Sequence, residues 1–376
     1  MSKKQIKFAE PGKWNWEVDL ISLKDVPKLI RRGQYIRGKY VESFEHSFAQ
    51  FCGTNYAHST SNGSDALVLA LQACGVSDGD EVIVPAHTFK ASIYAVLQVR
   101  ATPVVVDCNP QGLISAEEIN LHISEQTKAI IIVHMHGAVI NVDEIRKVLK
   151  QRPIYIIEDA SQCHGGFFGR RRVGSLGDVA AFSLYPTKNL GAVGDAGIIT
   201  TNNPTIYQRA VDLSNWVENE YVPSAIPWNR RMDSIQGIFL TNRLRRLDQS
   251  NKLRFEQANL YVEYLSEAIE SDLIGVLHNP RKTESVYHHF VVLVRERDVV
   301  QKILEEKFNI ESLVHYRFRL EDVPFRSKII FSNNRINSMS LRDEILSLPI
   351  GRHVNQKSIE YVAKSLIAAT QYCSQK

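Results

Sequence analysis

The sequence predicts an α/β fold in which helices cover both faces of a large, mostly parallel sheet and a smaller C-terminal α/β domain follows. Three observations carry this. Short apolar runs alternate with amphipathic segments about every 25 residues, the pattern of a parallel sheet whose crossovers are helices. Several apolar runs end in polar or glycine-bearing turns, the edge at which open α/β sheets bind ligands. A chain of 376 residues with 44% hydrophobic content is long enough for one large core and a smaller one. The expected division is residues 1–245 for an N-terminal arm and the large domain, and residues 246–376 for a linking helix and the small domain.

Taken in order, residues 1–34 read as an irregular arm followed by a short helix, with Trp14 and Trp16 as anchors. Over 41–51 the residues Val41, Phe44, Phe48 and Phe51 recur at helical spacing and mark a core face. The polar turn from His58 to Asp65 opens into a helix over 66–74 whose Leu67, Ala70, Leu71 and Cys74 form a buried face. Such a turn usually supplies only an N-cap, but the same geometry aims free N–H groups and the helix dipole at one point and suits a phosphate. Residues 81–84 form a strand ending at Pro85-Ala86-His87-Thr88-Phe89, and a helix follows over 90–99. Strands are expected over 102–106 and 129–133 around a helix over 114–123, with another helix over 143–150.

The centre of the chain is the stretch from Ile154 to Thr201. Tyr155, Ile156 and Ile157 lead a buried strand into Glu158-Asp159-Ala160-Ser161-Gln162, which places Asp159 at a strand end. The run 179–184 carries Ser183 and passes through Tyr185-Pro186-Thr187 to Lys188, on a loop before a strand over 197–201. A loop lysine is ordinarily a solvated charge. Here Pro186 fixes the backbone before it, three glycines follow it, and apolar strands flank it, so its amine can be partly desolvated and nucleophilic. Arg170-Arg171-Arg172 reads as a solvated basic turn.

After a helix over 204–213 comes an irregular stretch over 216–228, longer than a compact domain tolerates without a use for it. An amphipathic helix over 236–270, strands over 285–294 and 311–316, and helices over 299–308 and 356–370 complete the chain.

Formal charge of +4, with no lysine-rich tail or aromatic-basic interleaving, argues against nucleic acid as a partner. Five scattered cysteines, never in a Cys-x-x-Cys pair, argue for a reducing compartment and against zinc. His134 and His136 have no third ligand at suitable spacing, so no metal is expected. No apolar run approaches the roughly 20 residues of a membrane span, and Lys3 and Lys4 are not followed by an apolar stretch like that of a signal peptide. A cytoplasmic protein is expected.

The stretches Glu158-Asp159-Ala160-Ser161-Gln162, Gly174-Ser175-Leu176-Gly177-Asp178 and Phe182 to Gly191 closely resemble the pyridoxal-phosphate sugar aminotransferases of the DegT/DnrJ/EryC1/StrS group, and the resemblance runs from about Tyr35 to about Leu366. It implies a fold type I aminotransferase. On that resemblance Lys188 binds pyridoxal 5'-phosphate through its amine and moves the proton, while Asp159 keeps the cofactor's ring nitrogen protonated. Phe89 stacks on the ring, Gln162 hydrogen-bonds the ring hydroxyl, and Gly63, Ser64 and Ser183 hold the phosphate. Asn229-Arg230-Arg231-Met232-Asp233-Ser234-Ile235-Gln236 resembles the family motif in which the asparagine reaches the partner's cofactor phosphate, which implies a homodimer with Asn229 in a shared site. His134, Tyr185, His315 and Tyr316 are the implied substrate contacts, and His136 is expected to border the pocket.

The resemblance further implies glutamate as amino donor and a nucleotide-linked keto-deoxysugar as acceptor. The loop from Asn189 to Gly197 looks more like members that aminate the 3-position than the 4-position. Related sugar dehydratases have histidine where Lys188 stands. An aminotransferase for a cyclitol or another ketone would share the cofactor site, and a non-catalytic binding protein on the same scaffold would not need Lys188 and Asp159 intact. His87, Arg317 and the pair Pro227-Trp228 depart from the common family pattern at substrate-facing positions.

Overall fold

A computed structural model of the chain describes residues 5–214, 226–317, 325–332 and 335–374. The side chain of Trp14 and most of the irregular stretch over 216–228 lie outside the described residues.

The N-terminal part alternates strands and helices as the pattern predicts. Its strands are β1 (Tyr56–Thr60), β2 (Glu81–Pro85), β3 (Thr102–Val106), β4 (Thr127–Val133), β5 (Tyr155–Asp159), the short hairpin β6 (Phe167–Phe168) and β7 (Arg171–Arg172), β8 (Val179–Ser183) and β9 (Gly197–Thr201). The C-terminal part adds β10 (Gly275–Val276), β11 (Phe290–Leu293), β12 (Ile330–Phe331) and β13 (Ile345–Leu348). Eight strands form the large sheet in the order β1-β9-β8-β5-β4-β2-β3-β12. Pairing is parallel from β8 through to β12. Only β1 with β9 and β9 with β8 run antiparallel.

Near-continuous apolar runs such as Ile130-Ile131-Ile132 are buried on both faces, as a parallel sheet between helices requires. Helix Lys39–Cys52 packs Val41, Phe44 and Phe48 into this core. Helix Gly63–Ala73, rich in alanine and leucine, is buried along most of its length. Asn141 caps helix Val142–Leu149 through the N–H of Asp143, with Asp143 and Glu144 in its first turn and Arg146 and Lys147 in its last, matching the helix dipole.

A second core gathers Tyr261, Phe290, Leu346, Leu348 and Leu366 around the antiparallel sheet β10-β11-β13 and the helices Arg297–Phe308 and Gln356–Ser374. The chain nevertheless returns to the large sheet at β12, and Ile6 of the arm bridges to Ile310 beside the second core.

Several expectations are corrected. The helix expected over 236–270 is three helices, Ser234–Leu244, Leu247–Tyr264 and Ser266–Glu270. Arg243 turns inward at the first break, paired with Asp19 at 2.6 Å and bonded to the carbonyls of Gly191 and Ala192. The strand expected over 311–316 is a single bridge from Leu313 to Ser347, because His315 and Tyr316 leave the sheet for the cavity below. The strand expected over 285–294 shortens to Phe290–Leu293 for the same reason at His288 and His289. Trp16 is no anchor within the chain, being 60% exposed. The arginine turn is not simply solvated: Arg171 pairs with Asp143 at 2.6 Å, and Arg172 pairs with Asp248 at 2.7 Å while its guanidinium lies 3.9 Å from the Phe51 ring centroid.

Candidate active site

A cavity of about 660 Å³ opens at the carboxyl end of the parallel strands and brings together Gly63, Ser64, Phe89, Asp159, Gln162, Ser183, Tyr185, Lys188, His315 and Tyr316. They come from segments more than 250 residues apart in the chain, and the sheet order is what joins them.

Asp159 ends β5 and is buried. Its Oδ2 accepts from Ser92 Oγ at 2.9 Å and its Oδ1 from the Ser161 N–H at 3.2 Å. Thr88 Oγ1 lies 2.8 Å from Ser92 Oγ and extends the network. The preceding residue, Glu158, points the other way and is fully buried. It accepts from the N–H groups of Gly174, Leu176 and Gly177 at 3.0, 2.9 and 2.8 Å, which explains why the glycine-bearing turn over 174–178 accompanies the Glu-Asp pair.

Lys188 sits on a loop strapped from several sides. Its N–H donates to the Tyr185 carbonyl at 2.9 Å. A Cβ at Gly191 would lie 2.4 Å from the Pro186 carbonyl oxygen, so only glycine lets the loop fold back there. Asn189 Nδ2 donates to Asn251 Oδ1 at 2.9 Å and to the Val286 carbonyl at 3.0 Å, and Gln236 Oε1 accepts from the Val193 N–H at 2.9 Å. Burial lowers the Lys188 ammonium from 10.5 to about 8, with the Asp159 charge acting in the opposite direction.

At the opposite wall, Asn62 caps helix Gly63–Ala73, its Oδ1 accepting from the Asp65 N–H at 2.9 Å. The N–H groups of Gly63 and Ser64 precede any helical carbonyl that could take them, so they are available to an anion. A Cβ on Gly63 would fall 2.4 Å from Ser183 Cβ, so the missing side chain is what lets this turn meet β8.

The donor set fits pyridoxal phosphate on these grounds: a cradle that a Cβ would fill, two helix-start N–H groups with a serine hydroxyl beside them, a buried carboxylate, and a lysine with a lowered pKa. Phe89 is half open to the cavity, 5.2 Å from the Tyr316 ring. Gln162 is buried, its Oε1 accepting from the His136 N–H at 2.6 Å and its Nε2 donating to Tyr316 Oη at 2.9 Å.

Two expected residues, His134 and His136, lie behind the cavity wall, and Asn229, expected at a partner's site, lies outside its own chain's cavity. His134 is not at the cavity: it is fully buried, Nε2 is 3.0 Å from Glu158 Oε2, and Nδ1 accepts from the Ile140 N–H at 3.1 Å, leaving nothing for a substrate. His136 also stands behind the wall, both ring nitrogens facing other histidines. Asn229 is exposed and is not part of its own chain's cavity lining.

The sequence reading missed Ser92, His288 and His289. Ser92 lies one helical turn beyond Phe89, a spacing that could have placed it at the strand ends. No local signal marks His288 and His289 in an apolar run.

The sequence model described as the DegT/DnrJ/EryC1/StrS aminotransferase family matches residues 19–367. The chain is 36% identical to a dTDP-3-amino-3,6-dideoxy-alpha-D-galactopyranose transaminase of Aneurinibacillus thermoaerophilus, over 90% of this chain and 92% of the relative. It is 34% identical to a dTDP-3-amino-3,4,6-trideoxy-alpha-D-glucose transaminase of Streptomyces venezuelae, over 88% of this chain and 87% of the relative. The fold superposes on NtdA from Bacillus subtilis, solved with bound cofactor PMP, with a TM-score of 0.89 and 26% identity, covering 99% of this chain and 86% of that one.

Proposed function

The chain belongs to the DegT/DnrJ/EryC1/StrS aminotransferase family, and from that premise we propose that it transfers an amino group from glutamate to a nucleotide-linked 3-keto-6-deoxyhexose. It is a pyridoxal-phosphate-dependent enzyme of the type I fold. The observation that carries the reading is the meeting of Lys188 and Asp159 in one cavity with the helix start at Gly63. The 3-position is supported by the products named for the two transaminase relatives and by the loop from Asn189 to Gly197.

When bound, pyridoxal phosphate supplies an electron sink for the charge left at the donor's alpha carbon. Lys188 Nζ would hold the cofactor and, once the donor amine has displaced it, would act as general base and acid, taking the proton from the donor's alpha carbon and delivering one to the cofactor's carbonyl carbon on the far side of the shared nitrogen. Its lowered pKa keeps a usable share of neutral amine near pH 7. Asp159, its direction fixed by Ser92 and the Ser161 N–H, stabilises positive charge on the ring nitrogen. Gly63, Ser64 and Ser183 would hold the phosphate, Phe89 would cover the ring face, and Gln162 would hydrogen-bond the ring hydroxyl. Tyr185, His315 and Tyr316 line the space left for the sugar.

Asn229 is read as completing the phosphate site of a second copy, which makes the working unit a homodimer. The chain is read as dividing near residue 245, a reading supported by helix Leu247–Tyr264, which gives Leu247 to the first core and Ala258, Tyr261 and Val262 to the second. No helix among the described residues is long and apolar enough to cross a membrane. A cytoplasmic location agrees with five free cysteines, four of them buried.

The test is incubation with pyridoxal phosphate, glutamate and matched 3-keto and 4-keto nucleotide sugars, with NMR location of the new amine. Amination of the 3-keto sugar is expected. Exclusive amination of the 4-keto sugar overturns the position, and no change in cofactor absorbance with glutamate overturns the activity.

A further inference from the structure

Three buried histidines from distant parts of the chain form a row that ends at the Lys188 cavity. His87 Nε2 lies 3.2 Å from His136 Nε2, and His136 Nδ1 lies 3.2 Å from His289 Nδ1. His87 follows β2, His136 follows β4 and His289 leads directly into β11, so the row joins the large sheet to the second core. His136 is fully buried and the other two are 5% exposed.

The last ring is held on three sides. His289 stacks on His315 with centroids 3.8 Å and planes 14° apart, its centroid is 4.1 Å from that of His288, and Nδ1 is taken by His136. His315 is itself fixed by Ser347 Oγ, 2.9 Å from its Nδ1. His289 Nε2 makes no hydrogen bond among the described residues, and the residue lines both the cavity shared by Lys188 and Asp159 and a smaller one of about 200 Å³ that Arg254 and Glu311 also line. The side chain is more than nine-tenths buried, yet Nε2 is not among the buried polar atoms cut off from solvent, so a ligand group entering the cavity can take it in place of water.

Burial keeps the rings neutral: His136 and His289 titrate well below 6.5, and His87 is brought down to about 4. A neutral imidazole carries one N–H, and each nitrogen-to-nitrogen contact needs one donor and one acceptor. The protons of the row are therefore ordered together. If His87 donates to His136, then His136 donates to His289 and His289 Nε2 carries a hydrogen. In the reverse order Nε2 offers a lone pair. A neutral row is a weak partner for a carboxylate and a good one for a hydroxyl, which accepts or donates as either order requires. Among the described residues no group of three His, Cys, Asp or Glu side chains is placed to hold a metal ion.

We propose that His289 is a specificity-determining residue that hydrogen-bonds a hydroxyl of the acceptor through Nε2, and that His136 and His87 are positioning residues that set which hydrogen bond it offers. The proposal rests on the keto-sugar reading above and deepens it, since it selects ketones that carry a hydroxyl within reach of His289.

The experiment compares His289→Phe, His289→Gln and His136→Phe in the holoenzyme with steady-state kinetics for both substrates and 15N NMR of the histidine rings. His289→Phe raises KM for the keto-sugar about tenfold, the scale of one lost hydrogen bond, while KM for glutamate changes less than twofold. His289→Gln recovers most of the loss. His136→Phe shifts the His289 ring nitrogens toward an averaged pattern and gives a smaller rise in the same KM. An unchanged keto-sugar KM in His289→Phe, or a rise in the glutamate KM instead, overturns the contact. His289 resonances in His136→Phe that match the unmodified enzyme overturn the positioning role, a result that needs no substrate. If the unmodified enzyme turned over no keto-sugar, the reading above would fail and the NMR arm would still decide the row.

Discussion

Ser92 Oγ donates to Asp159 Oδ2 over 2.9 Å and ties helix Lys90–Gln98 to the end of β5. Phe89 stands at the N-cap position of the same helix, so one element places the Phe89 ring at the cavity and sets the direction of the Asp159 carboxylate.

Asp159→Asn keeps size and a hydrogen bond and removes the charge. Turnover is expected to fall about a hundred- to a thousandfold, the cost of losing a charge-stabilising group at a reacting centre, with a smaller fall in cofactor occupancy. Ser92→Ala should follow the same direction more mildly. Single-turnover absorbance kinetics with glutamate measure both, and an unaltered rate in Asp159→Asn would sink the assignment.

Lys188→Ala is expected to abolish transamination while circular dichroism and the thermal midpoint stay near those of the unmodified protein, because the phosphate seat does not depend on the amine. A variant that still transaminated at a normal rate would remove Lys188 from the mechanism.

The pH dependence follows from the lowered lysine. Below about 8 the amine of the cofactor-free protein is protonated and cannot attack an aldehyde; above it the amine is neutral. Covalent capture of pyridoxal phosphate should thus rise about tenfold per pH unit up to about 8 and level off beyond it. Stopped-flow absorbance would show this, and a rise continuing to pH 10 would contradict the desolvated amine.

Gly63→Ala places a methyl group 2.4 Å from Ser183 Cβ and 2.8 Å from Ser183 Cα. Either the helix start or β8 must retreat, so a loss of roughly 1–3 kcal/mol of stability is expected, together with faster cofactor release on gel filtration. Normal retention of the cofactor by this variant would place the phosphate elsewhere.

Asn229→Ala should weaken cofactor retention by the neighbouring copy. Mixing it with the Lys188→Ala chain should restore activity, because a hybrid dimer then has one site with both residues intact. A fully active monomer in sedimentation would rule out the shared site.

The sequence exposed what was written contiguously. Asp159 and Lys188 each stand at the end of an apolar run beside turn residues, so their setting could be read from their neighbours. The row from His87 to His289 could not: it exists only because β2, β4 and β11 converge, and a histidine before an apolar strand looks the same whether it packs or binds. His134 misled for a different reason: the resemblance put it at the pocket, but its side chain turns away from the strand ends to Glu158. The break near Arg245 was hidden because helical periodicity on both sides masks a change of direction between them.

The pairing of β1 with β9 has a consequence for synthesis. Tyr56 meets Thr201, so the strand leading into helix Gly63–Ala73 leaves the ribosome roughly 145 residues before its partner, an interval of about 7 to 30 seconds at about 5–20 residues per second. Throughout that time the nascent chain carries an unpaired edge made of Tyr-Ala-His-Ser-Thr. Such an edge invites pairing with other chains, so yield in a cell depends on what shields the emerging polypeptide until the strand on its far side arrives.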